Sequence, residues 1–368
     1  MSPQMQHVAF NKPTPVSNIL KVLIKTCIIP LKINRSEKTT SVTFKLKSKQ
    51  TFIFCLYLLI IFGTTFFMMF YMFGINHIMT RFLTKFHNSN TIDFMSLICI
   101  MMMGTSVPIL CLPFSKQLTY VASEIFQSPN LQLPNHWKKF VLFSLFYVLS
   151  LEAFTCIHIT NSTIDDDEDI EYSWWIAAII IQITVNNIFV FIFFFVVLCC
   201  IDEFKRITYL PKNDIIFHTN KCIDYFKTLQ KGFGTTFLIT YSYYQIQNVF
   251  CTYMSISSLM SMNENFWQNI VLSVCYFTMS AYFMAILYCI TLTSEEAYDT
   301  LQSLNTPLEK MMLNENNFTQ REQIKATMRK LEKIQPLNGN GYFNITRETL
   351  TSIVSTTVTY LIILLQFR

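Results

Sequence analysis

The sequence predicts an all-α membrane protein. Seven transmembrane helices are expected, with a cytoplasmic N-terminus, an extracellular C-terminus and helical extensions on the cytoplasmic side. Three observations carry this. Hydrophobic residues make up 52% of the chain and charged residues 14%, too little charge to cover a soluble surface of this size. Seven apolar runs reach the ~20 residues that a helix needs to cross a hydrocarbon layer. Of the 28 Lys and Arg, 25 fall on one side of the arrangement that those runs define, which makes that side the cytoplasm.

Residues 1–50 are basic and polar, with nine Lys or Arg. The first long apolar run starts near Thr51, too far along for the hydrophobic core of a signal peptide, so none is expected. Within this segment "VSNILKVLIKTCIIP" interleaves Ile and Leu with Lys21 and Lys25, the pattern of an amphipathic helix lying on the inner leaflet. The spans follow at 51–74, 91–113, 138–160 and 173–201 (together 51–201), then 236–260 and 269–292 (together 236–292), and last 347–367. The fifth is the most polar, carrying Tyr241, Tyr243, Tyr244, Gln245, Gln247 and Asn248.

The cytoplasmic connections are expected to be helical. In 202–235, Ile223, Phe226 and Leu229 share one side ahead of "GFG" at 232–234. In 293–346, Thr319 and Glu322 have the spacing of a capping box, Ile324, Met328 and Leu331 form a stripe, and Pro336, Gly339 and Gly341 end the helix. An apolar stripe outside the membrane needs a partner, so these helices are expected to pack against other helices or subunits. The acidic run "DDDEDIE" at 165–171 falls on the outer side.

This orientation is inverted relative to G-protein-coupled receptors, whose Asp-Arg-Tyr and Asn-Pro-x-x-Tyr motifs are missing, so a metabotropic receptor is disfavoured. A secondary transporter would show internal repeats and helices broken by Gly or Pro in both halves, but Gly63, Gly74, Gly104, Pro108 and Pro113 cluster at the first two spans. The six His make no metal spacing, and no phosphate loop or nucleophile motif is present. The chain is therefore read as a non-enzyme without metal, cofactor or nucleic-acid partner. Its 11 Cys sit mostly within apolar runs, as small hydrophobes rather than disulfides.

The last span reads "NGNGYFNITRETLTSIVSTTVTYLIILLQFR". Ser352, Thr356, Thr359, Ile363 and Gln366 recur at helical spacing and share one face. Such a stripe either lines water or packs small residues against a neighbour, and spacing alone leaves the two open.

Thr359 and Tyr360, five hydrophobic residues, then Gln366 and Phe367 at the C-terminal end resemble the signature of the insect gustatory receptor family. The resemblance is specific over about the last 30 residues. It implies a homotetrameric, ligand-gated, non-selective cation channel related to insect odorant receptors, set in the plasma membrane of gustatory receptor neurons. The last helices, 347–368, would line a central pore, with Thr356, Thr359, Tyr360, Ile363, Gln366 and Phe367 as pore and gate residues. The segment 293–346 would anchor subunits to one another, with heteromers of other gustatory receptors as an alternative assembly. A tastant would enter a pocket in the outer half of spans two to six. Sugar receptors of the family commonly carry an acidic residue after the Thr-Tyr pair. Here it is Leu361, which points to a bitter or plant secondary compound, with a fructose-type or odorant-type ligand as alternatives.

No motif marks that pocket. The outer-half residues with recognition chemistry are Glu152, Trp174, Trp175, Gln182, Tyr253, Trp267 and Tyr276, aromatic walls with a few polar groups. Tryptophans also belong at membrane interfaces for their own sake. Glu152 stands apart because an ionisable group within a span is costly unless paired. The sequon at Asn161 is extracellular but abuts the third span, so its glycosylation is doubtful.

Overall fold

The computed structural model describes residues 210–260 and 266–366 without interruption, most of 190–208, two strands at 32–35 and 40–43, and scattered positions from 49 to 63. The expected amphipathic helix at 16–30 and the second and third spans lie outside the described residues. The N-terminal segment contributes a feature the sequence reading did not anticipate. Strands β1 (Lys32–Arg35) and β2 (Thr40–Thr43) pair antiparallel, with Ile33 opposite Val42, so β-branched residues meet across the pair.

The other regular elements described are helices. Helix α1 (Lys212–Met260) is 49 residues long, about 74 Å at 1.5 Å per residue, far more than a bilayer needs. The expected connection 202–235 beyond Pro211 and the expected span 236–260 are thus one continuous helix, passing through Gly232–Phe233–Gly234 without a break. Its N-terminal half buries Ile223, Phe226 and Leu229, the stripe that the sequence displays. Helix α2 (Phe266–Gln302) likewise outruns its span by ten residues. The two pack along their length. A helical stretch ending at 207 lies against α1, where Phe193 meets Phe237 edge-on with ring centroids 4.6 Å apart and Phe233 at 5.4 Å.

Two shorter helices, α3 (Asn305–Asn314) and α4 (Phe318–Glu332), pack at the N-terminal half of α1. Helix α4 buries Ile324 and Leu331 and half-buries Met328, so its apolar stripe faces the core formed by the long helices. Its start corrects the sequence reading. The cap is Asn317, whose side chain accepts from the Thr319 backbone N–H at 3.0 Å. Thr319 is therefore inside the helix, and Glu322 reaches forward to Lys325 at 2.9 Å, a hydrogen bond that lowers its carboxyl below the usual range. Asn220 of α1 donates to Thr327 of α4 at 3.0 Å and accepts from Lys330 at 3.1 Å.

Between α4 and the last helix, α5 (Arg347–Gln366), the chain makes a tight turn. Asn338 accepts from the Gly341 N–H at 2.9 Å, and the Gly339 N–H donates to the Phe343 carbonyl at 2.8 Å. Asn340 and Gly341 hold φ of 54° and 84°, the left-handed region where glycine is least strained. The turn sits directly on Gly234 of α1. A Cβ there would lie 3.1 Å from the Asn340 backbone nitrogen. Phe343 in turn rests on the Tyr241 ring at 5.3 Å.

Two stretches among the described residues, Tyr276–Asn314 and Arg347–Gln366, are long and apolar enough to cross a membrane by length and composition. Helix α1 owes its lower apolarity to the tyrosines and amides already noted, and the structure turns most of them inward. Tyr241, Tyr243, Tyr244, Gln247 and Asn248 are all buried.

Candidate functional site

Helix α5 begins where Glu295 of α2 meets it. One carboxylate oxygen accepts from the Arg347 backbone N–H at 2.7 Å, and the other accepts from Arg347 Nε at 2.8 Å. The first backbone donor of the helix is thereby satisfied by an anion, which also complements the positive end of the helix dipole.

Beyond this joint α5 is held lightly. Ile353 and Thr357 are its buried residues, with Leu350, Leu361 and Leu364 partly covered along the same stripe. The opposite side carries the polar stripe. Ser352, Thr359, Ile363 and Gln366 are exposed, and Thr356 is half-exposed. Tyr360 is exposed as well, at 54%. Phe367 lies outside the described residues. The threonines bond to their own helix, with Thr356 donating to the Ser352 carbonyl at 2.8 Å and Thr359 to the Ser355 carbonyl at 3.0 Å. That removes the cost of an unmade hydroxyl bond in an apolar medium, while each oxygen keeps a lone pair for water or an ion.

On the covered side a polar cluster joins three helices. Asn248 of α1 accepts a short hydrogen bond from Ser280 of α2, and Thr252 donates to the Asn248 carbonyl at 2.7 Å. The Thr252 and Ser280 oxygens are themselves 2.8 Å apart. The Asn248 amide nitrogen then reaches Thr357 of α5 at 3.5 Å. Thr357 gives its own proton to the Ile353 carbonyl at 2.9 Å, so its oxygen is an acceptor for the amide. Below this cluster Tyr241 and Thr291 pair at 2.8 Å, and above it Ser255 pairs with Ser273 at 2.9 Å. These buried polar groups of α1 and α2 are thus answered by one another.

With this geometry in place, the chain can be set beside known proteins. Residues 223–368, which contain α5 and most of the helices packed on it, match the family described as 7tm chemosensory receptor. Over this segment the chain resembles chemosensory receptors. The chain is also similar to the insect olfactory receptor OR5 from Machilis hrabei in complex with eugenol, with a TM-score of 0.66 at 12% identity over 95% of this chain and 97% of that one. Another OR5 structure gives 0.63 over the same shares. At that identity the likeness shows a shared fold. Among curated proteins none matches the sequence.

The expected pocket residues divide as follows. Tyr253 is in α1 and fully buried, and Tyr276 of α2 is half-buried with its ring edge-on to Phe250 at 6.5 Å. Trp267 falls in the first turn of α2. Glu152, Trp174, Trp175, Gln182 and Asn161 lie outside the described residues. The sequence reading missed two features. Glu295 and Arg347 are 52 positions apart with no local signal. Thr357 was visible in principle, because it is the one hydroxyl on a stripe of Leu350, Ile353, Leu361 and Leu364.

Proposed function

We propose that the receptor is a ligand-gated, non-selective cation channel that detects a tastant, a bitter or plant secondary compound, at the plasma membrane of gustatory receptor neurons. Four copies would assemble around an axis faced by α5, as a homotetramer or with other gustatory receptors. What supports this reading is the direction of the polar stripe on α5. Ser352, Thr356, Thr359 and Gln366 turn away from the body of their own chain, although the helix is otherwise apolar. Around an axis, that face would supply rings of hydroxyl and amide oxygens to partly dehydrated cations. The ligand class rests on Leu361, and the pocket on the outer-half residues Glu152, Trp174, Trp175, Gln182, Tyr253, Trp267 and Tyr276.

Gating follows from two neighbouring positions. Gln366 and Phe367 project about 100° apart on a helix. Four Phe367 rings at the axis would form a dry constriction, and turning α5 would replace them with Gln366 amides that stand in for water. Ligand needs only a higher affinity for the turned state. The test is current recording from cells expressing this chain alone, screened with plant compounds. Phe367→Ala should leak without ligand, and Gln366→Leu should reach the surface yet pass little current with it. A Phe367→Ala channel that is silent at rest and opens normally would place the gate elsewhere.

A further inference from the structure

We infer that Asn248 is a positioning residue, a latch that holds α5 in its Gln366-inward orientation through Thr357. The inference rests on the pore reading above and adds to it the element that fixes the helix's rotation.

Thr357 and Gln366 are nine residues apart, about two and a half turns of helix. They therefore lie on opposite faces. When Thr357 meets the Asn248 amide, as here at 3.5 Å, Gln366 points directly away from the body, toward the proposed axis. Turning Phe367 into that position advances every contact by one residue, so Val358 would replace Thr357 against Asn248. Valine offers no acceptor. The amide would then be left unmatched in a buried place, since Asn248 is 4% exposed, whereas its other oxygen stays fixed by Ser280. The Asn248 side chain is thus tied firmly to α2 and lightly to α5. A bond at the limit of hydrogen-bonding distance suits an element that must release.

The sign of this bias is specific. Removing the Thr357 hydroxyl takes the bond from the Gln366-inward state. Adding a hydroxyl at Val358 gives the Phe367-inward state a bond of its own. Both changes should shift α5 in the same direction, and together they should add. Val358 is 49% exposed, so Val358→Thr should fold normally.

The experiment needs no agonist. The chain carrying Gln366→Cys is expressed at the cell surface and labelled with a trimethylammonium-bearing methanethiosulfonate, and the rate is corrected for the chain without that cysteine. A hydrogen bond at the weak end of the usual net range predicts that Thr357→Val slows labelling of position 366 about twofold. Val358→Thr should slow it by a similar factor, the pair more than either, and Thr357→Ser little. If position 366 labels readily but at one rate in all backgrounds, the latch is wrong and the pore reading stands. If position 366 does not label even when Phe367→Ala is added to open the pore, Gln366 does not face water, and the pore reading falls with the latch.

Discussion

Removing Glu295 should loosen the base of α5, and the structure says which of its two bonds matters. The carboxylate accepts from the Arg347 backbone N–H at 2.7 Å and from the Arg347 side chain at 2.8 Å. The second is a surface ion pair. The Arg347 side chain is 71% exposed against 22% for Glu295, and solvent screening leaves such a pair a few tenths of a kcal/mol, rarely more than ~1. The first is a charge-assisted bond to a helix-initiating N–H, comparable to losing an N-cap, about 1–2 kcal/mol. Arg347→Ala removes only the ion pair, because its backbone N–H remains. Glu295→Ala removes both. Thermal unfolding of the purified receptor in detergent should therefore rank Glu295→Ala clearly below Arg347→Ala, with the double variant close to Glu295→Ala alone. If Arg347→Ala is as damaging as Glu295→Ala, the guanidinium rather than the helix end is what the carboxylate serves, and the reasoning is wrong.

Gly234→Ala should destabilise, because its Cβ would press on the Asn340 backbone at 3.1 and 3.3 Å. The overpacking cost of about 1–3 kcal/mol exceeds the ~1 kcal/mol of helix propensity gained, and an unchanged melting temperature would show that the turn can withdraw freely. Asp202 has its carboxyl raised above the usual range, first by burial, with Lys205 opposing and Glu296 adding. A raised acid costs stability once pH climbs from its ordinary value through the folded one, so Asp202→Asn should melt higher at neutral pH. The advantage should vanish when pH falls below the ordinary aspartate range, and an advantage that persists there would implicate packing instead. Epitope tags should place the N-terminus inside and the C-terminus outside. Staining of an N-terminal tag on intact cells would invert the topology and favour a metabotropic receptor.

The long helices were legible because their apolar runs are longer than any soluble core requires, and the stripe of α4 because three residues at helical spacing leave one face to bury. What the sequence hides is competition and distance. Thr319 and Glu322 satisfy the capping-box spacing, yet Asn317, two residues earlier, reaches the Thr319 N–H first and sets the helix start. In "TSIVSTTVTY" hydroxyls occur on every side of α5, so spacing identifies a stripe but not the one hydroxyl that faces Asn248, 109 positions away. The β1–β2 pair is short and flanked by charge, too weak a pattern to compete with the basic segment around it.

The polar residues of this chain are divided in a way that bears on motion. In α1 Tyr241, Asn248, Thr252 and Ser255 meet partners on α2, so those two helices are costly to separate in an apolar medium. In α5 most turn outward and satisfy themselves, leaving Ile353 and Thr357 as the buried residues of a 20-residue helix. The helix is tied at its base by Glu295, in its middle by the long bond from Asn248, and its remaining contacts are aliphatic side chains that slide past one another without leaving a donor unmatched. Local stability follows buried contacts. An element with few of them, fixed at one end and backed by a close-packed pair, is the one suited to the rotation proposed above.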